Sequence, residues 1–282
     1  MLRKKIAIIA VSITISCLFS ACAPFAHKHK EVKVAINTTK GKIVVELYNQ
    51  TPKTRDNFIK LVQKGFYDST LFHRVIQTFM IQGGDPQSKH AKEGAMLGNG
   101  DAGYTVPAEF VPGLFHKKGA LATAREGDDV NPTKSSSGCQ FYIVQGKVFS
   151  NAELDTYEQR MNQGQKQKIF TDIIAQPQYA AMKQKFIQYQ NDNNIDSLRA
   201  LSLKFQPLID SAYSKTEHFK FTPEQRKAYT TVGGAPHLDG NYTVFGEVVE
   251  GLDIVDQIAA VPVNGNSRPL SDVRVLSMKI VK

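Results

Sequence analysis

Apolar and polar residues alternate along Val32-Lys33-Val34-Ala35-Ile36-Asn37 and again along Lys42-Ile43-Val44-Val45-Glu46-Leu47. Successive side chains of a strand point to opposite faces, so each run predicts a strand with one buried face. Thr38-Thr39-Lys40-Gly41 lies between them as a turn, and the three pieces read as a hairpin. Thr51-Pro52 then supplies an N-cap and a first-turn proline, opening a helix through Phe58, Leu61 and Val62 that stops at Gly65. Between residues 71 and 148, short apolar runs are separated by Gly, Pro and Asn clusters, which predicts mostly β structure; residues 106–110 and 119–124 are two such runs. Strand character returns at residues 242–248 and 273–275, and residues 251–258 between them have helical spacing.

Residues 149–232 break this pattern. They are rich in Gln, Lys, Ala and Tyr, with helical periodicity and almost no strand signal. Ser150-x-x-Glu153 has the form of a capping box, and Thr222-Pro223-Glu224-Gln225 opens a further short helix. Ile169, Phe170, Ile173 and Ile174 form an apolar stripe. An α-helical subdomain inserted between two parts of a β domain, residues 32–148 and 233–282, is the expected organisation. The stripe is read as packing between the inserted helices or against the β domain, or else as an arm that binds client polypeptides.

The N-terminus does not read as globular. Arg3-Lys4-Lys5 precedes an apolar run over residues 6–19, then Ser20, Ala21 and Cys22. A basic start, a short apolar core and small residues describe a signal peptide, too short to span a bilayer stably. Leu18-Phe19-Ser20-Ala21-Cys22 resembles the bacterial lipobox, with Phe19 where leucine is usual. That resemblance implies removal of residues 1–21, a lipid (palmitate-type) anchor on Cys22 and a polar tether over residues 22–31. The chain would then sit outside the cytoplasm on a bacterial cell-envelope membrane, periplasm-facing or outer. A plain signal peptide cleaved near Ala21 or Ala23 is the alternative. Cleavage removes Arg3, Lys4 and Lys5 and lowers the formal charge from +9 to +6. The remaining basic residues are read as a solvated surface, and nucleic acid is not an expected partner. If Cys22 is acylated, Cys139 is the one thiol left in the mature chain, so a core rather than disulfides must supply stability. Cys139 lies in an apolar strand-like run and is expected to be buried and inert.

Chemistry concentrates in Phe72-His73-Arg74-Val75-Ile76-Gln77-Thr78-Phe79-Met80-Ile81-Gln82-Gly83-Gly84-Asp85. Arg74, Phe79, Met80 and Gln82 can share one surface only if the strand breaks, and Gln77-Thr78 is the expected break. A charged donor beside apolar side chains and an amide is a peptide-binding combination. No metal-ligand spacing, phosphate loop or Ser/His/Asp set is visible, so neither metal nor cofactor is expected.

This segment resembles the signature of the cyclophilin family of peptidyl-prolyl isomerases. Two further blocks follow in the family's order: residues 120–144, and Leu238-Asp239-Gly240 through Val244-Phe245-Gly246-Glu247-Val248. The resemblance implies a mainly β fold, a closed antiparallel eight-stranded barrel capped by two helices. It implies rotation of X–Pro bonds, with Arg74 as the donor to the twisted peptide and His73 and Gln82 as further catalytic-site members. Phe79, Met80, Tyr142 and Leu238 match the proline pocket, and Gln140 with Gln82 matches the amides that orient substrate and arginine. Ala124 and Arg125 match residues whose backbone meets the peptide. His237 stands where many members have a tryptophan, Tyr242 replaces a histidine, and Tyr142 stands where phenylalanine is usual, adding a hydroxyl that needs a partner or water. These departures predict weak cyclosporin binding. Proline-containing peptides and unfolded exported proteins are the partners implied. The rival readings are a catalytically weak peptide-binding chaperone and an envelope scaffold.

Overall fold

The computed structural model describes residues 31–282. The expectations for the signal peptide, for Cys22 and for all but the last residue of the tether lie outside the described residues. In chain order the elements are β1 (Val32–Thr38), β2 (Gly41–Leu47), α1 (Pro52–Gln63), β3 (Arg74–Ile76), β4 (Met80–Gly83), β5 (Thr105–Val106), β6 (Ala120–Thr123), β7 (Ser136–Ser137) and β8 (Phe141–Val144). Then come α2 (Asn151–Ile174), α3 (Ala180–Asn191), α4 (Ile195–Tyr213), α5 (Pro223–Thr231), β9 (Val244–Glu250), α6 (Leu252–Ala259) and β10 (Val275–Val281).

Eight strands form one antiparallel sheet in the order β10-β1-β2-β9-β6-β8-β4-β3. The β1–β2 hairpin is in the register the alternation predicts, with Val34 opposite Val45 and Ile36 opposite Ile43. Its turn is held by Thr38, whose hydroxyl accepts from the backbone N–H groups of Lys40 and Gly41. The sheet curls but does not close as a ladder. Among the described residues, the segments before its two edge strands, β3 and β10, meet through the isolated bridge Leu71–Arg274 and scattered backbone bonds, and β3 itself bonds outside β10, as in Val75 N–H to Ser267 O at 2.8 Å. The segment facing β3 contains Pro269, which has no N–H to donate, and turns tightly over residues 264–268. The expected closed barrel is therefore an open half-barrel. The described residues are also not mainly β, because α2 and α4 run for 24 and 19 residues while the longest strands have seven.

Alternation sorts the strands' side chains into two apolar clusters, one on each face. Ile81, Leu121, Phe141, Ile143 and Phe245 join the main core, covered by Phe58, Leu61 and Val62 of α1 and by Val255, Ile258 and Ala259 of α6. Their sequence neighbours Met80, Ala120, Ala122, Tyr142, Val144 and Val244 join a second cluster with Leu238. Cys139 lies in the main core, where burial pushes its thiol up to about 12.

Helix α1 starts at Pro52 as expected, but Thr51 does not cap it with its side chain. The carboxylate of Glu109, 55 residues beyond Thr54, accepts from the N–H groups of Lys53 and Thr54 and from the Thr54 hydroxyl. A carboxylate there satisfies orphan donors and opposes the positive end of the helix dipole.

Within residues 149–232, Ser150 with Glu153 and Thr222 with Gln225 both form reciprocal capping boxes. Phe170 and Ile174 of the stripe pack on Leu201, Phe205 and Ile209 of α4, with Ile169 and Ile173 at the margin. The stripe is thus consumed by packing among helices α2, α3 and α4. A separate cluster of Leu154, Phe221 and Tyr229, with Phe115 and Phe149, joins α2 and α5 to the sheet-bearing part. Among the described residues no helix is long and apolar enough to cross a membrane.

Candidate active site

Arg74 on β3 stands directly opposite Gln82 on β4, and Gln82 stands opposite Tyr142 on β8. Residues in register share a face, so this pairing alone collects a guanidinium, an amide and an aromatic ring on one surface. The expected break is present. Residues 77–79 form a turn in which Thr78 adopts φ +64°, and the Phe79 N–H returns to Ile76 O. The turn lets Phe79 and Met80 face the surface that Arg74 and Gln82 occupy.

A directed run of hydrogen bonds aims the arginine. Gln140 donates its amide N–H groups to the carbonyls of Gly98 and Gly100, at 2.8 and 2.7 Å. Its oxygen must then face Gln82, whose amide donates to it at 3.0 Å. The Gln82 oxygen in turn accepts from Arg74 Nη1 at 3.2 Å, and that nitrogen lies 4.0 Å from Met80 Sδ. Orientation thus passes from a glycine loop through two amides to a guanidinium.

Beside Arg74 opens a cleft of about 330 Å³. Arg74, Phe79, Met80, Gln82, Ala124, Arg125, Tyr142, His237, Leu238 and Tyr242 line it. The structure therefore gathers ten of the twelve residues named from sequence. Gln140 stands behind the lining as the orienting amide. Arg125 lies 4.6 Å over the Tyr242 ring and is tied to the Asn241 and Glu126 carbonyls and to Asp128. His237 stacks at a tilt on Phe79, with centroids 5.1 Å apart. Burial and the neighbouring His116 hold the His237 imidazole below its ordinary range.

The twelfth residue, His73, does not join the cleft. Strand alternation turns it away from Arg74, it is buried under the glycine loop near Gly98, and neither ring nitrogen has a partner in hydrogen-bond geometry. Burial holds its pKa below the ordinary value, outweighing the nearby Asp85 carboxylate and a weak pull from the Leu71 backbone. Between its lowered folded value and the free imidazole value, such a histidine is neutral in the fold and charged in the unfolded chain. Its stabilising contribution is complete above the free imidazole value of about 6.5 and declines as pH falls below it. Urea midpoints of the wild type should hold steady from about pH 8 to 7 and fall toward pH 5. His73→Leu should make that acid limb shallower; an unchanged limb would remove His73 as its source.

Sequence reasoning assigned no role to His116, which is fully buried and reaches the Tyr142 hydroxyl at 3.0 Å. The only signal was that hydroxyl itself, which needs a partner once buried. Nothing in local spacing pointed to a residue 26 positions away.

With fold and cleft described, the class follows. Residues 32–196 and 217–280 match the cyclophilin type peptidyl-prolyl cis-trans isomerase/CLD family, and the chain belongs to that family. It is 29% identical over 251 residues to a protein of Staphylococcus aureus (strain COL), spanning 89% of this chain and 92% of that one. It is 30% identical over 252 residues to one of Staphylococcus haemolyticus (strain JCSC1435), spanning 89% and 91%. The names of both relatives place them provisionally among peptidyl-prolyl cis-trans isomerases. A crystal structure of a cyclophilin type peptidyl-prolyl cis-trans isomerase from Cryptosporidium parvum shares the fold. It superposes with a TM-score of 0.50 at 19% identity, covering 89% of this chain and 98% of that one.

Proposed function

We propose that the chain accelerates X–Pro rotation in exported polypeptides by non-covalent stabilisation of the twisted peptide, with Arg74 as donor. The observation that carries this reading is the Arg74 guanidinium, held by Gln82 in the lining of a cleft that Phe79, Met80 and Leu238 also wall. An X–Pro amide rotates over a barrier set by its resonance, about 18–20 kcal/mol. No bond is made or broken, so the catalyst has only to bind the twisted amide better than either planar form. On twisting, the proline nitrogen becomes pyramidal and regains a lone pair. A permanently charged, forked donor meets it without proton transfer. The apolar walls hold the compact proline ring, and Met80 adapts its shape to it.

The peptide backbone beside proline meets Arg125 rather than Ala124. Ala124 already donates its N–H to Gln140 O and accepts from Ser137 N–H. Gln82 serves Arg74 as its orienting amide, and His73 serves the fold beneath the glycine loop. His237 and Tyr242 select substrate at the rim, and their identities weaken cyclosporin binding.

Delivery to exported substrates rests on the lipobox-like residues 18–22, with Cys22 carrying the anchor to a cell-envelope membrane. One experiment joins the two parts. The full chain and its Cys22→Ser variant are expressed in a bacterium fed radiolabelled palmitate, and both are assayed on a tetrapeptide X–Pro substrate. Label should enter the wild type alone, with equal isomerisation by both proteins. Equal labelling would overturn the anchor, and absent isomerisation would overturn the mechanism.

A further inference from the structure

Helix α5 reaches the cleft through one chain of hydrogen bonds. Tyr142 is 4% exposed, and its hydroxyl meets His116 Nε2 at 3.0 Å. His116 Nδ1 lies 2.8 Å from Asp239 Oδ1, which also accepts the His116 backbone N–H at 2.9 Å. The other carboxylate oxygen, Oδ2, accepts from the Tyr229 hydroxyl at 2.5 Å and from Gln225 Nε2 at 3.4 Å. Tyr229 and Gln225 both belong to α5 of the insertion. Asp239 therefore holds the cleft side with one oxygen and the insertion with the other.

The donor directions follow from the groups. A carboxylate only accepts, so His116 Nδ1 carries the proton shared with Asp239. Nε2, on the other side of the ring, meets the Tyr142 hydroxyl. This turns the hydroxyl away from the cleft and leaves the Tyr142 ring as its wall. Tyr242 continues the wall, its centroid 6.1 Å from Tyr142 and 6.5 Å from His116. Burial pushes the Tyr142 hydroxyl well above its ordinary ionisation range, so its role is geometric rather than acid–base.

We propose that His116 is a positioning residue for the proline cleft, acting through Tyr142, and that helix α5 of the insertion sets it through Asp239. The inference rests on Tyr142 walling the proline site, as read above. It gives the insertion a task that packing alone does not require. Tyr229 is already buried against Phe115, Phe149 and Phe221, yet its hydroxyl is spent on the carboxylate that orients His116. Movement of α5 would therefore reach the cleft wall without touching substrate.

The test is a set of single and double variants of the full chain, assayed for kcat and KM on a tetrapeptide X–Pro substrate, with urea midpoints for each. Loss of one buried hydrogen bond is worth up to about a tenfold change. His116→Leu should lower kcat/KM by about tenfold, and Tyr229→Phe by about threefold. His116→Gln, which keeps an amide in reach of both neighbours, should recover part of the loss. In the Tyr142→Phe background, neither His116→Leu nor Tyr229→Phe should lower kcat/KM further, although each should still lower the midpoint. Equal activity losses with and without the Tyr142 hydroxyl would overturn positioning and leave only a structural role. Unchanged kcat/KM in Tyr229→Phe would overturn the link to the insertion, and that variant carries the test if His116→Leu fails to fold. Arg74→Ala serves as control. If it keeps full activity the proline-site reading itself fails; if it collapses while the His116 and Tyr229 variants stay active, this inference alone fails.

Discussion

Arg74→Ala should lower kcat/KM for X–Pro rotation by about 10²–10³-fold, the cost typical of removing one preorganised donor from a reacting centre. The loss should fall mainly on kcat, because the donor gains strength only when the proline nitrogen pyramidalises. Folding should be almost untouched. Arg74 is exposed on the edge strand β3, and surface substitutions of that kind change stability by about 0.5 kcal/mol or less. Arg74→Lys should not restore the rate, since a compact ammonium cannot hold the Gln82 oxygen and the substrate with one rigid fork. Protease-free exchange measurements on a tetrapeptide, with chemical denaturation of the same samples, decide the matter. A drop of less than about threefold would exclude Arg74 as the donor.

Phe141→Ala should produce the largest stability loss. Its ring is 1% exposed and meets Phe58, Tyr67 and Phe72 edge-on, with centroids 5.6, 5.5 and 6.2 Å away. Removing a buried phenylalanine side chain costs about 3–5 kcal/mol through lost transfer energy and a residual cavity. The effect on function should be indirect. Gln140 and Tyr142, the neighbours of Phe141 in sequence, point to the opposite face, so the folded fraction should keep the cleft's geometry at low denaturant. Urea unfolding provides the check; a loss below about 1 kcal/mol would mean that the cluster repacks around the gap.

The same alternation explains how much was legible beforehand. The hairpin, the start of α1, the Ser150–Glu153 capping box, the helix opened at Thr222-Pro223 and the break at Gln77-Thr78 all follow from local sequence, and the structure contains them. Periodicity in residues 149–232 marks helices, and helices α2 to α5 lie there. The strand expected from residue 273 begins at Val275, because the preceding residues bond irregularly to the 69–75 segment. What escaped notice was long-range and polar. The Glu109 cap on α1 joins residues 55 positions apart, and the His116 bridge joins residues 26 and 123 apart. One carboxylate or one imidazole leaves no periodic trace, so sequence spacing cannot announce its partner. Closure of the sheet was overestimated for a related reason. Apolar alternation states that a strand has a buried face, but not whether its edge finds a second ladder.

By itself, the order of residues determined which side chains lie together on a strand face and where the chain must turn. Those choices obey local sterics and the two-residue period of β structure, and they suffice to assemble Arg74, Gln82 and the apolar residues of the cleft. Tertiary structure decided the rest: the open edge between β3 and β10, the withdrawal of His73 beneath the glycine loop, and the connection of helix α5 to Tyr142 through Asp239 and His116. The reason is that a buried polar group must find a partner wherever the fold brings one, and that partner's place in the chain is set by topology rather than by spacing.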